Sequence, residues 1–318
     1  MSAGSVSGFV VSFAVTVCAA PLIRLLMVRQ GVLDIPNHRS SHSTPTPRGG
    51  GLACLVGLWA AATFSALAGR DIPWLHFAAA TVLSLVGFAD DKEGLPALSR
   101  LGAQALMGAT MGVAAGAGWL VLMAAVLAPA VVNMVNFMDG INGITSLSMT
   151  VWGVAACIVG QRHSLTALTL VGATVIGCSL GFLPWNTGTA RLFLGDIGSY
   201  LFGGLVTAGL MIGWAGGAPI LPLLAPLAIY AADTSTALIR RGLRRESLLT
   251  AHREHVYQQL TDRCGTPHLA VASIILGLST LLTMVWFLTS TWISVATTMV
   301  VCAAYLMSPY RLPRRAVS

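Results

Sequence analysis

Four polar residues stand three apart at the end of an apolar run: Asn133, Asn136, Asp139 and Asn142 in NMVNFMDGINGI. Spacing of three keeps side chains near one face if a helix continues through them. Asn amides both donate and accept hydrogen bonds, which suits recognition of a base or an acetamido group. Gly140 and Gly143 would let backbone approach a ligand closely. The plain counterpart is interhelical hydrogen-bonding glue, which uses the same residue types.

Other stretches carry comparable chemistry. GFADDKEGLPALSR (87–100) holds the adjacent carboxylates Asp90 and Asp91. They point in different directions, so one can bind metal while the other meets substrate; a helix cap would need only one. WNTGTARLFLGDIGSYLFG (185–203) sets Asp196 between Gly195 and Gly198 at the start of an apolar run. A helix N-terminus with glycines and a hydroxyl suits an anion. A carboxylate there suits Mg²⁺, which binds one or two carboxylates plus phosphate oxygens. RRGLRRESLLTAHREHVYQQL (240–260) puts His252 and His255 at i, i+3 with Arg253 and Arg241 nearby. Zinc would need a third ligand at matching spacing and none is evident; phosphate or pyrophosphate fits so many arginines better. DIPNHRSSHSTPTPRGGG (34–51) ends in Arg48 and three glycines and could close over a substrate, or be an ordinary loop. Asp233 lies in an apolar run and could pair with the arginines that follow it. Together these groups are the inventory for metal-assisted phosphoryl transfer.

The elements that must position them are membrane helices. Of 318 residues, 55 % are hydrophobic and only 9 % charged, against about 25 % in soluble domains; mean hydropathy is +0.78. Charge-free runs cover 49–69, 72–89, 101–138, 140–161, 163–190, 197–232 and 264–310. A bilayer needs about 20 apolar residues per helix, so the longest runs hold two spans each. Eleven spans are expected, at about 5–27, 49–68, 72–89, 99–115, 119–136, 141–160, 164–184, 198–213, 218–239, 268–288 and 291–308. The fold class is all-α, a polytopic integral membrane protein in one transmembrane domain over 1–318. The first span lacks a basic region before it and reads as retained rather than cleaved. The six cysteines show no CxxC spacing and read as small packing residues.

Topology sorts the charges. Connections after odd-numbered spans, with the C-terminus, hold sixteen of the 18 basic residues; the other side holds Arg70 and Arg162. The positive-inside rule then makes the first side cytoplasmic, with the N-terminus outside and the C-terminus inside. Cytoplasmic loops fall at about 28–48, 90–98, 137–140, 185–197 and 240–267. Asp90, Asp91, Asp139, Asp196 and Asp233 stand at four helix ends on that side. An ionisable group near a helix end in lipid must face water or a partner, so a shared cytoplasm-facing cleft is expected. Nucleic acid is excluded as a partner, because the basic residues are scattered over short loops. The excess of basic residues sets membrane orientation first and attraction to phosphates second.

The order DD, NxxNxxDGxxG, FxGDxGSxxxG, HRxH resembles the polyprenyl-phosphate N-acetylhexosamine-1-phosphate transferases of glycosyltransferase family 4. That family includes the phospho-N-acetylmuramoyl-pentapeptide transferases and the enzymes that start O-antigen lipid intermediates. The resemblance runs from about Asp34 to Leu260. It implies a reaction at the bacterial inner membrane: undecaprenyl phosphate plus a UDP-N-acetylhexosamine gives undecaprenyl-diphospho-sugar and UMP. The sugar it implies is GlcNAc or a 6-deoxy sugar such as FucNAc or QuiNAc. By motif, Asp90 would accept or orient the lipid phosphate proton, Asp91 would help hold Mg²⁺ (or Mn²⁺), Asp196 would be the main metal ligand and Asp139 would organise the site. Asn142, Asn186 and Phe193 match uridine-contacting positions, with Asn136 and Arg48 as further substrate contacts. His252, Arg253 and His255 match the basic loop that meets the diphosphate and sugar. The family often reads DGxDG where this chain has DGINGI; an amide at Asn142 keeps the hydrogen bonding without the charge, which favours base recognition over metal binding. The SSHSTPTPRGGG loop resembles the shorter O-antigen members. A homodimer follows by analogy only. Two other readings stand beside this one. A transporter or flippase for a phosphorylated or lipid-linked substrate would place carboxylates near the midplane, often with inverted repeats, and none is seen. A purely structural subunit would leave the clustered carboxylates unexplained.

Overall fold

The computed structural model describes residues 3–36, 44–247 and 254–311. Helix α1 (Ala3–Arg29) leads into a two-residue antiparallel pair, β1 (Leu33–Asp34) with β2 (Thr46–Pro47). Then follow α2 (Gly51–Leu67), α3 (Trp74–Glu93), α4 (Ala97–Ala114), α5 (Trp119–Met138), α6 (Ile144–Arg162), α7 (Thr166–Asn186) and α8 (Gly195–Ala215). A short α9 (Leu221–Leu224) and a 3₁₀ turn (Ala225–Leu227) precede α10 (Ala228–Leu243), and α11 (Val256–Asp262), α12 (His268–Leu288) and α13 (Thr291–Arg311) close the chain. Each of the eleven expected spans overlaps a helix. Among the described residues, eight helices, with α9 to α10 taken as one, are long and apolar enough to cross a membrane. The chain is a multi-pass membrane protein.

Burial separates centre from rim. Helix α8 is the hub: 89 % of its most apolar window is buried inside the protein, against 22 % for α1 and 11 % for α13. Its contacts run to α3, α5 and α7. Side chains from α3, α5, α6 and α8, among them Phe77, Leu83, Val132, Trp152 and Phe202, make one continuous core. Glycine sets the closest approaches. A Cβ on Gly51 would stand 2.3 Å from the Gly198 backbone, and one on Gly87 would stand 2.3 Å from the Asp196 carbonyl. So α2 and α3 touch the start of α8 backbone to backbone, which hydrocarbon surroundings favour because association there depends on van der Waals packing.

Two local departures from the sequence reading matter for the site. The expected span 218–239 is interrupted. Pro222 and Pro226 each lie in the first positions of a new short helix, because proline has no N–H to continue the ladder. The chain after α10 is also not all loop. Helix α11 forms in the polar stretch, where Gln258 Oε1 accepts from the His255 backbone N–H at 3.3 Å in a capping box.

Candidate active site

The helix α5 ends at Met138, and Asp139 is its cap with φ −83° and ψ 41°. The four polar residues therefore do not share one face. Asn133 donates to Gln104 Oε1 at 2.7 Å and to the Pro129 carbonyl at 2.8 Å, which ties α5 to α4 as glue. Asn136 donates to Asp196 Oδ1 at 2.8 Å and to Ser199 Oγ at 3.0 Å. Asn142 lies past the turn: its side chain donates to the Gly188 carbonyl at 2.9 Å and its backbone N–H faces His268 Nδ1 at 3.5 Å. Gly140 offers no open approach either. The Tyr257 hydroxyl occupies the position a Cβ would take, at 2.1 Å, and donates to the Phe137 carbonyl at 2.9 Å.

The carboxylates do converge. Asp91, with a side chain 0 % exposed, faces Arg48 Nη1 at 3.5 Å through Oδ1. Its Oδ2 accepts the Ile197 backbone N–H at 3.2 Å. The N-terminus of α8, expected to receive an anion, thus receives this one, where free N–H groups and the helix dipole stabilise it. Gly195 makes the turn into α8 with φ +74°, and a Cβ there would stand 2.6 Å from Asp91 Oδ2. Asp90 pairs with Arg100 Nη1 at 2.6 Å. Its Oδ1 accepts from Leu95 N–H at 2.8 Å and its Oδ2 from the Tyr200 hydroxyl at 3.4 Å. Asp196, between them, has no ion-pair partner among the described residues; the Asn136 amide is its donor. Asp139 lies within electrostatic reach of Asp91 and Arg48. Burial raises its pKa from 3.8 to about 7; the Thr145 hydroxyl and Arg48 pull it down, and Asp91 pushes it up.

Arg48 joins the cluster to the loop before α8. It bridges Asp91 and Asp34, the latter at 3.2 Å. Burial alone would lower the Arg48 pKa, but Asp34, Asp91 and Asp196 outweigh it and leave the pKa raised. Its backbone pairs in parallel with Phe193, whose N–H donates to the Pro47 carbonyl at 2.8 Å. Asn186, buried, accepts the Gly143 N–H at 2.7 Å and donates to the Leu192 carbonyl at 3.3 Å. Of the positions matched to uridine contact, Asn142 lies on the loop between α5 and α6, Asn186 at the end of α7 and Phe193 on the loop between α7 and α8.

His255 lies on the wall of a groove. Its Nδ1 is 3.1 Å from Asp233 Oδ1, and its ring lies beside Phe137 and Tyr257. Among the described residues, Asp233 pairs with no arginine. It also accepts the Val256 and Tyr257 N–H groups at 3.0 and 3.3 Å and the Tyr305 hydroxyl at 2.8 Å. That makes it a structural anchor between α10, α11 and α13. His252 and Arg253 lie outside the described residues. Sequence reasoning passed over Arg100 and Tyr200, the partners of Asp90. A lone basic residue ten positions after Asp90, opening the next span, was the available signal for Arg100.

A cavity of about 900 Å³ adjoins the cluster, between α4, α5, α9, α10 and α12–α13. Its walls are mostly apolar, including Leu127, Leu224 and Trp286. Arg100 and Asn136 line it, and these are the residues that hold Asp90 and Asp196. An apolar groove thus opens onto a cluster of acidic and amide groups.

Known proteins are similar to this chain over much of its length. The family described as glycosyl transferase family 4 matches residues 73–215, a stretch that contains Asp90, Asp91, Asn136, Asp139, Asn142, Asn186, Phe193 and Asp196. The chain is similar to glycosyl transferase family 4 over that stretch. A decaprenyl-phosphate N-acetylglucosaminephosphotransferase of Mycolicibacterium smegmatis is 29 % identical over 295 residues, covering 77 % of this chain and 72 % of the relative. A probable undecaprenyl-phosphate N-acetylglucosaminyl 1-phosphate transferase of Bacillus subtilis is 26 % identical over 279 residues, covering 80 % and 76 %. A phospho-N-acetylmuramoyl-pentapeptide-transferase of Symbiobacterium thermophilum is 28 % identical over 221 residues, covering 59 % and 66 %. The matched segment runs from α3 through α8, so it contains the hub helix and the carboxylates packed on its N-terminus.

Proposed function

We propose that the protein transfers N-acetylhexosamine 1-phosphate from a UDP-sugar to undecaprenyl phosphate, releasing UMP. The observation that carries this is the meeting of the apolar groove with the Asp90, Asp91 and Asp196 cluster through Arg100 and Asn136. A long isoprenoid tail suits the groove, and its phosphate would then lie beside the carboxylates. The relatives, by name, act on polyprenyl phosphates and N-acetylglucosamine.

In the reaction, an oxygen of the lipid phosphate forms a bond to the phosphorus that carries the sugar. The bond from that phosphorus to the bridging oxygen breaks, and UMP leaves with the electron pair. A phosphate monoester has a second pKa of about 6, so at pH 7 the lipid phosphate is largely ionised without help. Asp90, held by Leu95 N–H, Tyr200 and Arg100, therefore orients the attacking group more than it takes a proton. Asn142, Asn186 and the Phe193 segment would receive the uridine. Arg48 would face the diphosphate, and His252 and Arg253, matched by motif alone, are assigned to the diphosphate and sugar.

Among the described residues, no three His, Cys, Asp or Glu gather as a self-sufficient metal site. The donors nevertheless fit Mg²⁺ or Mn²⁺: they are hard carboxylate oxygens, and Asp196 has no ion-pair partner within 4 Å among the described residues. Asp196 and Asp91 would hold the ion together with substrate phosphate oxygens. When bound, it offsets repulsion between the two phosphates and charge on the departing UMP. On this reading the carboxylate ends of the helices face the cytoplasm at the bacterial inner membrane, an orientation supported by the distribution of basic residues. The product would enter O-antigen or related surface-polysaccharide synthesis.

The test is UMP release from purified protein with undecaprenyl phosphate, Mg²⁺ and a panel of UDP-GlcNAc, UDP-FucNAc and UDP-QuiNAc, with and without EDTA. Release that requires lipid phosphate and metal is expected, and the panel names the sugar. Folded protein that releases no UMP with any donor would refute the transferase reading and favour transport of a lipid-linked substrate.

A further inference from the structure

We infer that Arg100 is the residue that recognises the phosphate of the lipid acceptor, exchanging its ion pair with Asp90 for that phosphate. This rests on the polyprenyl-phosphate reading above and names the group that distinguishes the lipid's charged head from its tail. Arg100 opens onto the groove from the start of α4, with its side chain 26 % exposed. Among the described residues that line the groove it alone is Lys, Arg, Asp or Glu. The other titratable wall residue, His255, has its Nδ1 engaged by Asp233. An isoprenoid chain has no charge to neutralise, so a guanidinium where the groove meets the carboxylates calls for an anion there. Its planar fork of donors matches the oxygens of a phosphate monoester.

The pairing with Asp90 is arranged to be exchangeable. Asp90 keeps Leu95 N–H at 2.8 Å and the Tyr200 hydroxyl at 3.4 Å when Arg100 turns away. The cluster's other cation, Arg48, is not on the groove wall and is held by two carboxylates, Asp34 and Asp91. Arg100 has one carboxylate partner and a partly open side chain. In the absence of lipid the Arg100–Asp90 pair neutralises both groups; with lipid the guanidinium bridges to the incoming phosphate. A neutral polyprenol would gain nothing from that exchange.

The experiment compares the detergent-purified full chain with its Arg100→Gln and Arg100→Lys variants. Thermal stabilisation is read with undecaprenyl phosphate and with undecaprenol as the neutral control, and KM and kcat are read for both substrates. Wild type is expected to be stabilised more by the phosphate than by the alcohol, and Arg100→Gln equally by both. The loss of a charge-assisted contact raises the KM for lipid phosphate about tenfold or more, with the KM for the UDP-sugar little changed and Arg100→Lys intermediate. An Arg100→Gln variant that still discriminates phosphate from alcohol, or that loses kcat with an unchanged KM for lipid, would show that Arg100 only holds Asp90 and would overturn the inference. A wild type that neither discriminates the two lipids nor releases UMP would instead overturn the underlying transferase reading.

Discussion

Asp139→Asn should make the chain progressively more resistant to unfolding than wild type as pH rises from 5 to 8. The cause is burial of a carboxyl at the end of α5, which lifts its pKa from 3.8 to about 7. In the unfolded chain the group ionises near 3.8. In the folded chain it stays protonated until about 7. The folded state therefore binds more protons through that window, and wild-type stability falls as pH rises across it. Each pKa unit is worth about 1.4 kcal/mol, so a fully buried group would contribute about 2–3 kcal/mol of that decline between pH 5 and 8. Protein surrounds the carboxyl, but the residue as a whole is not fully buried. Solvent screening there reduces the expected effect to about 1–2 kcal/mol. Asn cannot titrate, so the difference between variant and wild type isolates this one group. The assay is thermal unfolding in detergent without divalent cations or substrates, at half-unit pH steps. A gap of a few degrees that widens with pH and levels off above 7 is expected. A gap that is constant with pH, or one that narrows, would refute the reasoning.

Asp196→Asn should lower UMP release by roughly a hundredfold or more, and Asp90→Asn by less, since among the described residues Asp196 has no ion-pair partner within 4 Å and Asp90 is already paired; equal or reversed losses at matched folding would count against the assigned roles. Gly87→Ala should destabilise by about 1–3 kcal/mol and reduce turnover, because its Cβ would meet the Asp196 carbonyl at 2.3 Å, whereas Gly102→Ala meets nothing within 4 Å and should be neutral in both assays. Asp233→Ala should cost about 3–5 kcal/mol. It strips partners from His255, two backbone N–H groups and the Tyr305 hydroxyl; limited proteolysis should then cut around α11 before other sites.

Periodicity and composition by themselves determined that this is a helical membrane protein, because hydrocarbon admits only segments that satisfy their own backbone and that condition is written residue by residue. The same local logic marked Asp90, Asp91 and Asp196 as belonging to one site: carboxylates at the ends of apolar helices need water or partners. What lay beyond reach was every feature that depends on where one helix ends against another. Spacing of three suggested a single polar face for Asn133 through Asn142, but α5 stops at Met138, and the turn sends Asn136 to Asp196 and Asn142 to Gly188. Asp233 was adjacent in sequence to arginines, yet tertiary packing supplied it with His255 and Tyr305 from other segments. The break of α9 to α10 at Pro222 and Pro226 was legible as two prolines, but the groove that adjoins it was not, since a cavity is bounded by five or more elements at once. Arg100 shows the division best. Its type and position were plain in the chain, but only the approach of α3, α4 and α8 decided that a guanidinium would sit between an apolar groove and Asp90, because an ion pair is a property of distance and sequence records only order.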